Sequence, residues 1–339
     1  MNKYLFLFII FHSVLGAMTS PPTPPQRRVF DPQAVQNSYN LWVEAEALIW
    51  QASEDGLAYA TTSKSQTSIV DGHIRSPDFD WDCGVRVGLG VKLPYDQWDL
   101  FLQYAYVPGK ASSSVGAPSG GAVFAIWESP SGLPTPFFAE HASLKWQAEL
   151  DIADIELGRN CFVGKALSIR PFFGVRGLFI DQDIHVTYRG GTAAPAGDTD
   201  ELYYDNDFWG VGLRMGFDSL WGLGAGWGIY GNGAASLLSG NFHVLEKEKF
   251  KKANVHRLQL KSDPSSLVAV AEIALGIQWD RFFAQDRYNF GMRLGWELNV
   301  FFDQNRLVHF LSSGNPGAIT QSDEDLSFQG LTLGFRLDF

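Results

Sequence analysis

Apolar and polar residues alternate with a period of two along most of this chain. In FDWDCGVRVGLGVKL, residues 79–93, apolar side chains occupy the odd positions, while Asp, Gly, Arg and Lys occupy the even ones. YNFGMRLGWELNVFFD, residues 288–303, repeats the design, with Phe301 as the one apolar residue on its polar face. Because alternate side chains of a strand point to opposite faces, the pattern predicts β-strands with one apolar and one polar face.

The same alternation predicts ten strands, and their connections alternate between short and long. The predicted strands are 41–51, 79–93, 98–106, 143–158, 166–189, 209–217, 225–243, 267–279, 288–302 and 331–339. The short connections are predicted at 93–97, 159–165, 219–224 and 281–286, and the long ones at 52–78, 108–142, 190–205, 244–265 and 304–325.

This arrangement is typical of a membrane barrel. The prediction is an all-β fold, a closed antiparallel transmembrane β-barrel of about ten strands with short periplasmic turns and long extracellular loops. An additional hairpin within 108–142 would raise the number to twelve. A secreted sandwich of two sheets is the soluble alternative, but it does not explain the regular sequence of short and long connections.

The N-terminal segment predicts export. Lys3 precedes an apolar stretch over residues 4–15, followed by the small residues Gly16 and Ala17. This is the pattern of a secretory signal peptide, predicted over 1–17. A Pro-rich periplasmic linker is expected over 18–39 and the barrel over 40–339. No later run of 18 apolar residues offers a membrane helix, so we expect a location in the outer membrane of a Gram-negative cell.

The chain ends in GLTLGFRLDF, which alternates to its final residue. We expect this stretch to be the closing strand of the barrel, with its apolar face toward lipid. An apolar face that ends on an aromatic residue resembles the C-terminal signal by which the barrel-assembly machinery recognises outer-membrane proteins. The residues of this expected signal are Leu331, Leu333, Phe335, Leu337 and Phe339.

The polar faces would then point into the lumen. The residues expected to line a pore are Asp82, Arg86, Lys92, Arg170, Arg176, Arg214, Glu272, Arg293, Glu297 and Arg336. Further acidic residues of these faces are Glu44, Glu46, Asp80, Asp218, Asp280, Asp303 and Asp338. Inward glycines either leave open space or mark bends.

Two functions fit such a lumen. Charges of both signs on facing walls favour a porin that allows passive diffusion of small hydrophilic solutes and ions. In the alternative, these charges pair and fill the barrel, which would make the chain a structural or adhesive surface protein with a closed lumen. Barrels of about eight strands are filled by side chains, whereas those of 16 or more leave a channel, so a barrel of ten strands leaves both functions open.

Composition and motifs exclude other functions. A net charge of -11 gives no basic surface for nucleic acid. No HExxH, GxSxG or paired CxxC motif occurs, so we expect neither an enzyme nor a cofactor or metal. His185, which follows Asp181 and Asp183, is the best catalytic candidate, but the sequence places no second catalytic group beside it.

Partners are predicted mainly from the location of the protein. Outer-membrane lipid and lipopolysaccharide are expected around the barrel, and self-association into a homo-oligomer is left open. The basic residues Lys247, Lys249, Lys251 and Lys252 either meet lipopolysaccharide phosphates or belong to a solvated loop. The acidic residues of DTDELYYDND, 198–207, either bind a divalent cation or are simply solvated.

Three segments resemble a known family. EALIWQASEDGLAYA (46–60), FDWDCGVRVGLGVKLPYDQWDLFLQY (79–104) and DIELGR with LSIRPFFGVRGLFIDQD (154–183) look like the major outer membrane protein-like family of chlamydia-related bacteria and Legionella. The resemblance extends over 40–339 and implies an abundant outer-membrane barrel that forms a diffusion pore. In chlamydial relatives cysteine cross-links stiffen the envelope. Here only Cys83 and Cys161 are present, predicted at opposite ends of the barrel, and Cys161 either stays free or links to another envelope protein.

Overall fold

The computed structural model describes residues 40–127, 137–310, 319–321 and 324–339. The predicted signal peptide and linker lie outside these residues. No helix in the part of the chain that the structure describes is long and apolar enough to cross a membrane. The strands are β1 (Leu41–Glu54), β2 (Ala60–Ser63), β3 (His73–Arg75), β4 (Asp78–Phe79), β5 (Trp81–Lys92), β6 (Trp98–Gly116), β7 (Ala122–Ala125), β8 (His141–Arg159), β9 (Cys161–Val163), β10 (Leu167–Arg189), β11 (Thr199–Gly224), β12 (Trp227–Phe250), β13 (Val255–Ser262), β14 (Ser265–Phe283), β15 (Tyr288–Asn305), β16 (Val308–Phe310), β17 (Ile319–Gln321) and β18 (Glu324–Asp338).

Ten of these strands form one closed antiparallel ring. Their order is β1, β5, β6, β8, β10, β11, β12, β14, β15 and β18. β18 closes the ring against β1, with a register that runs from Trp42–Asp338 to Glu54–Leu326. The predicted barrel of ten strands is therefore confirmed. The extra strand in the 108–142 connection, β7, pairs with β2 outside the ring and does not make a barrel hairpin.

Short turns gather at the end of the barrel where the described chain begins and ends. The turn between β11 and β12 is the tightest of them, because it uses only Ala225 and Gly226, at φ angles of 51° and 87°. Positive φ at both central residues gives a hairpin turn whose twist matches that of the flanking strands. Longer segments connect the strands at the other end.

Several strands run further than the apolar pattern predicts. β11 begins at Thr199 and β12 continues to Phe250, so both enter segments expected to be loops. In these extensions the outward positions are polar, for example Asp205 and Asp207. The backbone ladder continues while the outer wall faces water instead of lipid, and the alternation of apolar residues therefore stops before the strand does.

The outward faces carry an apolar belt of membrane height. On β11, the large side chains between Trp209 and Trp221 are all more than half exposed on the outer wall. Twelve residues at ~3.3 Å each, tilted by about 40°, rise roughly 30 Å along the barrel axis, close to the ~25 Å expected of such a belt. Phe179 pairs with Trp209 on the neighbouring strand. We define these two residues as the outer girdle and take everything beyond them as outside the membrane.

Candidate functional site

The lumen is the candidate site, because the inward faces of all ten strands meet there. Near the short-turn end these faces carry charged side chains, and toward the loop end they become apolar. The two regions are called here the charged layer and the apolar layer. They are built differently and have different consequences for passage through the barrel.

One half of the charged layer is organised around Arg86. Its guanidinium lies 2.7 Å from Glu46 and 2.8 Å from Glu297, which comes from the strand on the far side of β1 and β18. The same guanidinium lies over the ring of Trp50, 5.3 Å from its centroid. Two carboxylates therefore balance one buried cation, with planar hydrogen bonding of the kind arginine favours.

The ion pairs continue toward the turn end. Arg293 and Arg336 share the carboxylate of Glu44, at 2.8 and 2.9 Å. Arg336 also binds Asp338 at 2.8 Å, and Lys92 lies 3.8 Å from the same aspartate. Each carboxylate of this group therefore has a cationic neighbour.

A second set of ion pairs covers the opposite wall. Arg170 contacts Asp99 at 2.6 Å, Glu156 at 3.1 Å and Asp218 at 2.8 Å. Deeper in the barrel, Arg176 binds Asp154 at 2.7 Å and also contacts Glu272. Arg214 contacts the same two carboxylates, at 3.3 Å and 2.6 Å.

A cavity of about 190 Å³ remains among these charges. Glu46, Arg86, Arg176, Glu272 and Glu297 are among the residues that line it. This space would hold several waters, since one water occupies about 30 Å³ of liquid. Charges of both signs therefore surround a small polar chamber.

Above this chamber the lumen is filled by apolar side chains. Phe208 and Phe242 pack with ring centroids 4.7 Å apart, and Phe301 meets Phe328 edge to face at 6.3 Å. Residues of this apolar layer, each at most 2 % exposed, include Leu48, Trp50, Trp146, Leu150, Leu178, Phe208, Phe242, Phe301 and Phe328. They belong to one continuous apolar core.

The segments at the loop end add a cap to this core. β2, β3 and β7 form a small sheet. Val123 within this sheet and Tyr59 just before β2 are completely buried. The hydroxyl of Tyr188, from the barrel wall, donates to the carbonyl of Tyr59 at 2.6 Å. The cap is therefore hydrogen-bonded to the barrel and continues its core.

Sequence reasoning missed the apolar layer. Phe301, noted as an exception on a polar face, is fully buried in that layer. The available signal was the loss of strict alternation where both faces are apolar, as in Leu48–Ile49–Trp50. In that triplet Ile49 is 40 % exposed toward lipid, while Leu48 and Trp50 point inward.

Nine of the ten residues predicted to line a pore lie on inward faces of the charged layer, in ion pairs, whereas Asp82 pairs with Trp50 at the level of the apolar layer. One carboxylate oxygen of Asp82 is buried without a hydrogen-bond partner among the described residues. That these ten residues line a conducting pore stays a prediction. Asp80 and Asp303, predicted on the same faces, are instead exposed. Asp303 has left the lumen because its φ is +55°, beside a register shift between β15 and β18.

The inward glycines do not leave open space. A Cβ on Gly90 would overlap the ring of Trp42, and one on Gly88 would overlap Phe101. These two rings stack on each other with centroids 5.9 Å apart. Glycine on this wall therefore makes room for large aromatic neighbours, which occupy the volume that its missing side chain leaves.

The remaining candidates lie on the barrel wall and at its ends. The apolar residues of the predicted C-terminal signal face outward, and the amide of Phe339 donates to the carbonyl of Leu41 at 2.8 Å. Cys83 and Cys161 are both free thiols. His185 faces outward and stacks on Tyr203 at 4.3 Å, so the histidine is outside the lumen.

Comparison with known proteins agrees with this architecture. The model of the family described as Legionella pneumophila major outer membrane protein precursor matches residues 34–339. Among curated proteins, none matches the chain.

Solved outer-membrane barrels align with most of this chain at low identity. The outer membrane protease OmpT from Escherichia coli shares 9 % identity at a TM-score of 0.43, covering 88 % of this chain and 97 % of that one. The translocator domain of the autotransporter NalP from Neisseria meningitidis shares 9 % identity at a TM-score of 0.31, with 88 % of each chain covered. A FadL homologue from Pseudomonas aeruginosa shares 7 % identity at a TM-score of 0.26, covering 91 % of this chain and 92 % of that one.

Proposed function

The chain belongs to the Legionella pneumophila major outer membrane protein family, and we propose that it serves in the outer membrane as a structural and surface barrel with a closed lumen. Its location in the outer membrane follows from the family and from the barrel. The proposal concerns what the barrel does there.

The apolar layer is the observation that carries this proposal. Trp50, Trp146 and Phe328 fill the lumen where an open porin would have water, and each is 0–2 % exposed. A hydrated ion that crossed this layer would lose its water without gaining polar partners, which is strongly unfavourable. The cap over the layer closes the same route a second time.

The charged layer fits this function as well. Its arginines are held by two or three carboxylates each, so the layer ties together strands that are not neighbours in the ring, such as β5 with β15 and β10 with β14. Buried ion pairs of this kind specify one arrangement more than they add stability. We propose that they fix the barrel register and keep the narrow barrel rigid.

The proposal assigns no catalysis and no cofactor to the chain. Among the described residues, no group of three or more His, Cys, Asp and Glu side chains is arranged to hold a metal ion. The function is instead placed at the extracellular surface, where the cap and the strand extensions are presented.

A porin for small hydrophilic solutes and ions is the second candidate. The cavity of about 190 Å³ with charges of both signs favours it, because a polar chamber on the periplasmic side could be the inner half of a pore. In this case the apolar layer and the cap would have to move apart to let solutes pass.

Liposome swelling distinguishes the two functions. The protein, isolated from outer membranes, is reconstituted into liposomes loaded with an impermeant polymer and diluted into isosmotic solutions of small sugars. The closed barrel is expected to swell no faster than protein-free liposomes, while its insertion is confirmed by heat-dependent gel mobility. Swelling whose rate falls with increasing sugar size would reject the closed barrel and support the porin.

A further inference from the structure

The outer wall beyond the membrane carries a cluster of basic side chains. It is formed by Lys145 on β8, His185 on β10, Tyr203 on β11, and Lys247 and Lys249 on β12, and it is called here the basic patch. His185 pairs with Lys145 on one side and with Tyr203 on the other, and Tyr203 pairs in turn with Lys247. The sheet therefore places these side chains next to one another on one outward face.

Contacts within the patch hold its centre in place. The rings of His185 and Tyr203 are stacked with an interplanar angle of 13°, and the amine of Lys249 lies 5.0 Å from the centroid of Tyr203. Glu201 is the acid inside the patch, and it is already bound by the Tyr203 hydroxyl at 3.1 Å and by Lys251 at 2.7 Å. The patch thus contains more positive charge than this one carboxylate neutralises.

Lys145 and Lys247 provide the unbalanced charge. Neither forms an ion pair among the residues that the structure describes, whereas Lys249 and Lys251 both contact Glu201. Burial lowers the pKa of His185, and although Glu201 opposes this effect, the nearby Lys251, Lys145 and Lys249 lower it further. Three lysines therefore lie near His185 against one carboxylate, and this excess of cations favours an anion at the centre of the patch.

The height of the patch indicates which anion it meets. His185 lies six residues beyond Phe179 of the outer girdle, which corresponds to roughly 15 Å along the barrel axis for a strand tilted by about 40°. From the girdle up to the patch the wall is acidic. Asp151 lies level with Phe179, and the outward residues above it include Glu149, Asp181, Asp183, Asp205 and Asp207. Burial, followed by repulsion from Asp205, raises the pKa of Asp183.

This order of charges disfavours a phospholipid as the partner. The phosphate of a phospholipid lies just above the hydrocarbon, where it would face the acidic residues and be repelled. Lipopolysaccharide extends much further from the membrane, and its inner core sugars carry phosphate and carboxylate groups. Only these groups stand high enough to reach the lysines.

We propose that the basic patch is a binding site for the anionic inner core of lipopolysaccharide, with Lys145 and Lys247 as its direct contacts and the stacked His185 and Tyr203 as a platform between them. The site lies on the outer wall, so it does not depend on whether the lumen is closed or conducts. It would anchor a shell of lipopolysaccharide around β8, β10, β11 and β12.

The test compares a charge-neutral patch with a matched control. In one variant Lys145→Gln is combined with Lys247→Gln. In the other, Lys165→Gln is combined with Arg287→Gln, two exposed cations in the short turns at the opposite end. Both variants lose two positive charges, and heat-dependent gel mobility shows that each is folded.

Binding is measured in detergent micelles with three probes: lipopolysaccharide with its phosphorylated inner core, lipid A without a core, and phosphatidylglycerol. We expect the wild type to bind the core-bearing form most tightly, with an affinity that decreases as salt is raised. The affinity of the patch variant for the core-bearing form should be about ten- to thirty-fold lower, since each lysine near an anionic lipid surface raises the affinity about fivefold. The control should bind like the wild type.

Three results would overturn the site. These are an unchanged affinity of the patch variant for the core-bearing form, an equal loss in the control, and equal binding of wild type to lipid A or phosphatidylglycerol. The last result would mean that the lipid phosphates, and not the core, are what the wall recognises.

Discussion

Arg86 offers the most informative perturbation of the charged layer. Arg86→Leu would leave Glu46 and Glu297 without their shared cation, at 6 % and 8 % exposure. Removing one partner of a buried ion pair costs about 3–5 kcal/mol, because the remaining charge stays buried without compensation. Arg293 lies 3.5 Å from the other oxygen of Glu46, so we expect a loss near the lower limit, about 3 kcal/mol, or roughly a hundredfold in the folding equilibrium.

The assay is urea-induced unfolding of the protein in lipid vesicles, followed by tryptophan fluorescence. Arg86→Leu should lower the free energy of unfolding by about 3 kcal/mol. The double variant Arg86→Leu with Glu297→Leu should recover most of that loss, because the unpaired Glu297 is then gone and Glu46 keeps Arg293 at 3.5 Å. Arg159→Leu is the control, since its partner Asp96 is 2.5 Å away but the two side chains are 43 % and 53 % exposed. Its effect should stay below about 1 kcal/mol.

Equal losses for Arg86→Leu and Arg159→Leu would refute this reasoning, because burial would then not determine the value of an ion pair. A double variant that is less stable than the single one would also refute it. In that case Glu297 would stabilise the barrel through contacts other than Arg86.

Three further predictions follow from the packing of the lumen and the loops. Trp50→Ala should lower the free energy of unfolding by about 3–5 kcal/mol because its ring is 2 % exposed, whereas Tyr95→Ala, in a turn at 75 % exposure, should leave the urea midpoint nearly unchanged. Gly90→Ala should cost about 1–3 kcal/mol by overlapping Trp42, while Gly177→Ala, whose new Cβ would have its nearest neighbour at 3.9 Å, should be tolerated; equal midpoints for the two variants would contradict the packing. Asp198 accepts hydrogen bonds from the amides of Lys252, Ala253 and Thr199, which lower its pKa below its ordinary 3.8. The stability that the ionised carboxylate gives this loop is therefore fully present above pH 3.8 and is lost as the pH falls through the lowered pKa. The exchange rates of the amides of residues 251–254 are compared with those of unstructured peptide at the same pH. The protection of these amides should be high at pH 5 and should fall in stronger acid. A variant Asp198→Ala that shows the same acid dependence would argue against this carboxylate as the cause.

Alternation predicted the wall of the barrel well, because lipid and lumen impose opposite demands on neighbouring residues. Val85, Val87 and Arg86 show this, with the two valines 46 % exposed toward lipid and the arginine in the lumen. The closed ring could also be predicted, since an unpaired edge is not tolerated in lipid. The strand ends could not, because a backbone ladder can continue into water with any polar outward side chain.

The lumen was harder to predict, because both of its layers obey the rule that inward residues face no lipid. Alternation places Arg176 and Phe301 alike on inward faces, and it does not distinguish a charged inward residue from an apolar one. Which of them closes the barrel depends on packing across the lumen between strands that are distant in sequence. Gly88 and Gly90 illustrate the point, since their missing side chains suggested space, while Phe101 and Trp42 fill it.

The most direct test of the closed lumen is single-channel current through the protein in a planar lipid bilayer under a salt gradient. Ions are the smallest solutes that a pore would pass, so the apolar layer should stop them too. Membranes that contain folded, inserted protein are expected to show no discrete current steps, although an open porin added afterwards to the same membrane does conduct. Reproducible steps that change in size or ion preference when Arg176 or Glu272 is neutralised would contradict the closed lumen and place both residues in an open pore.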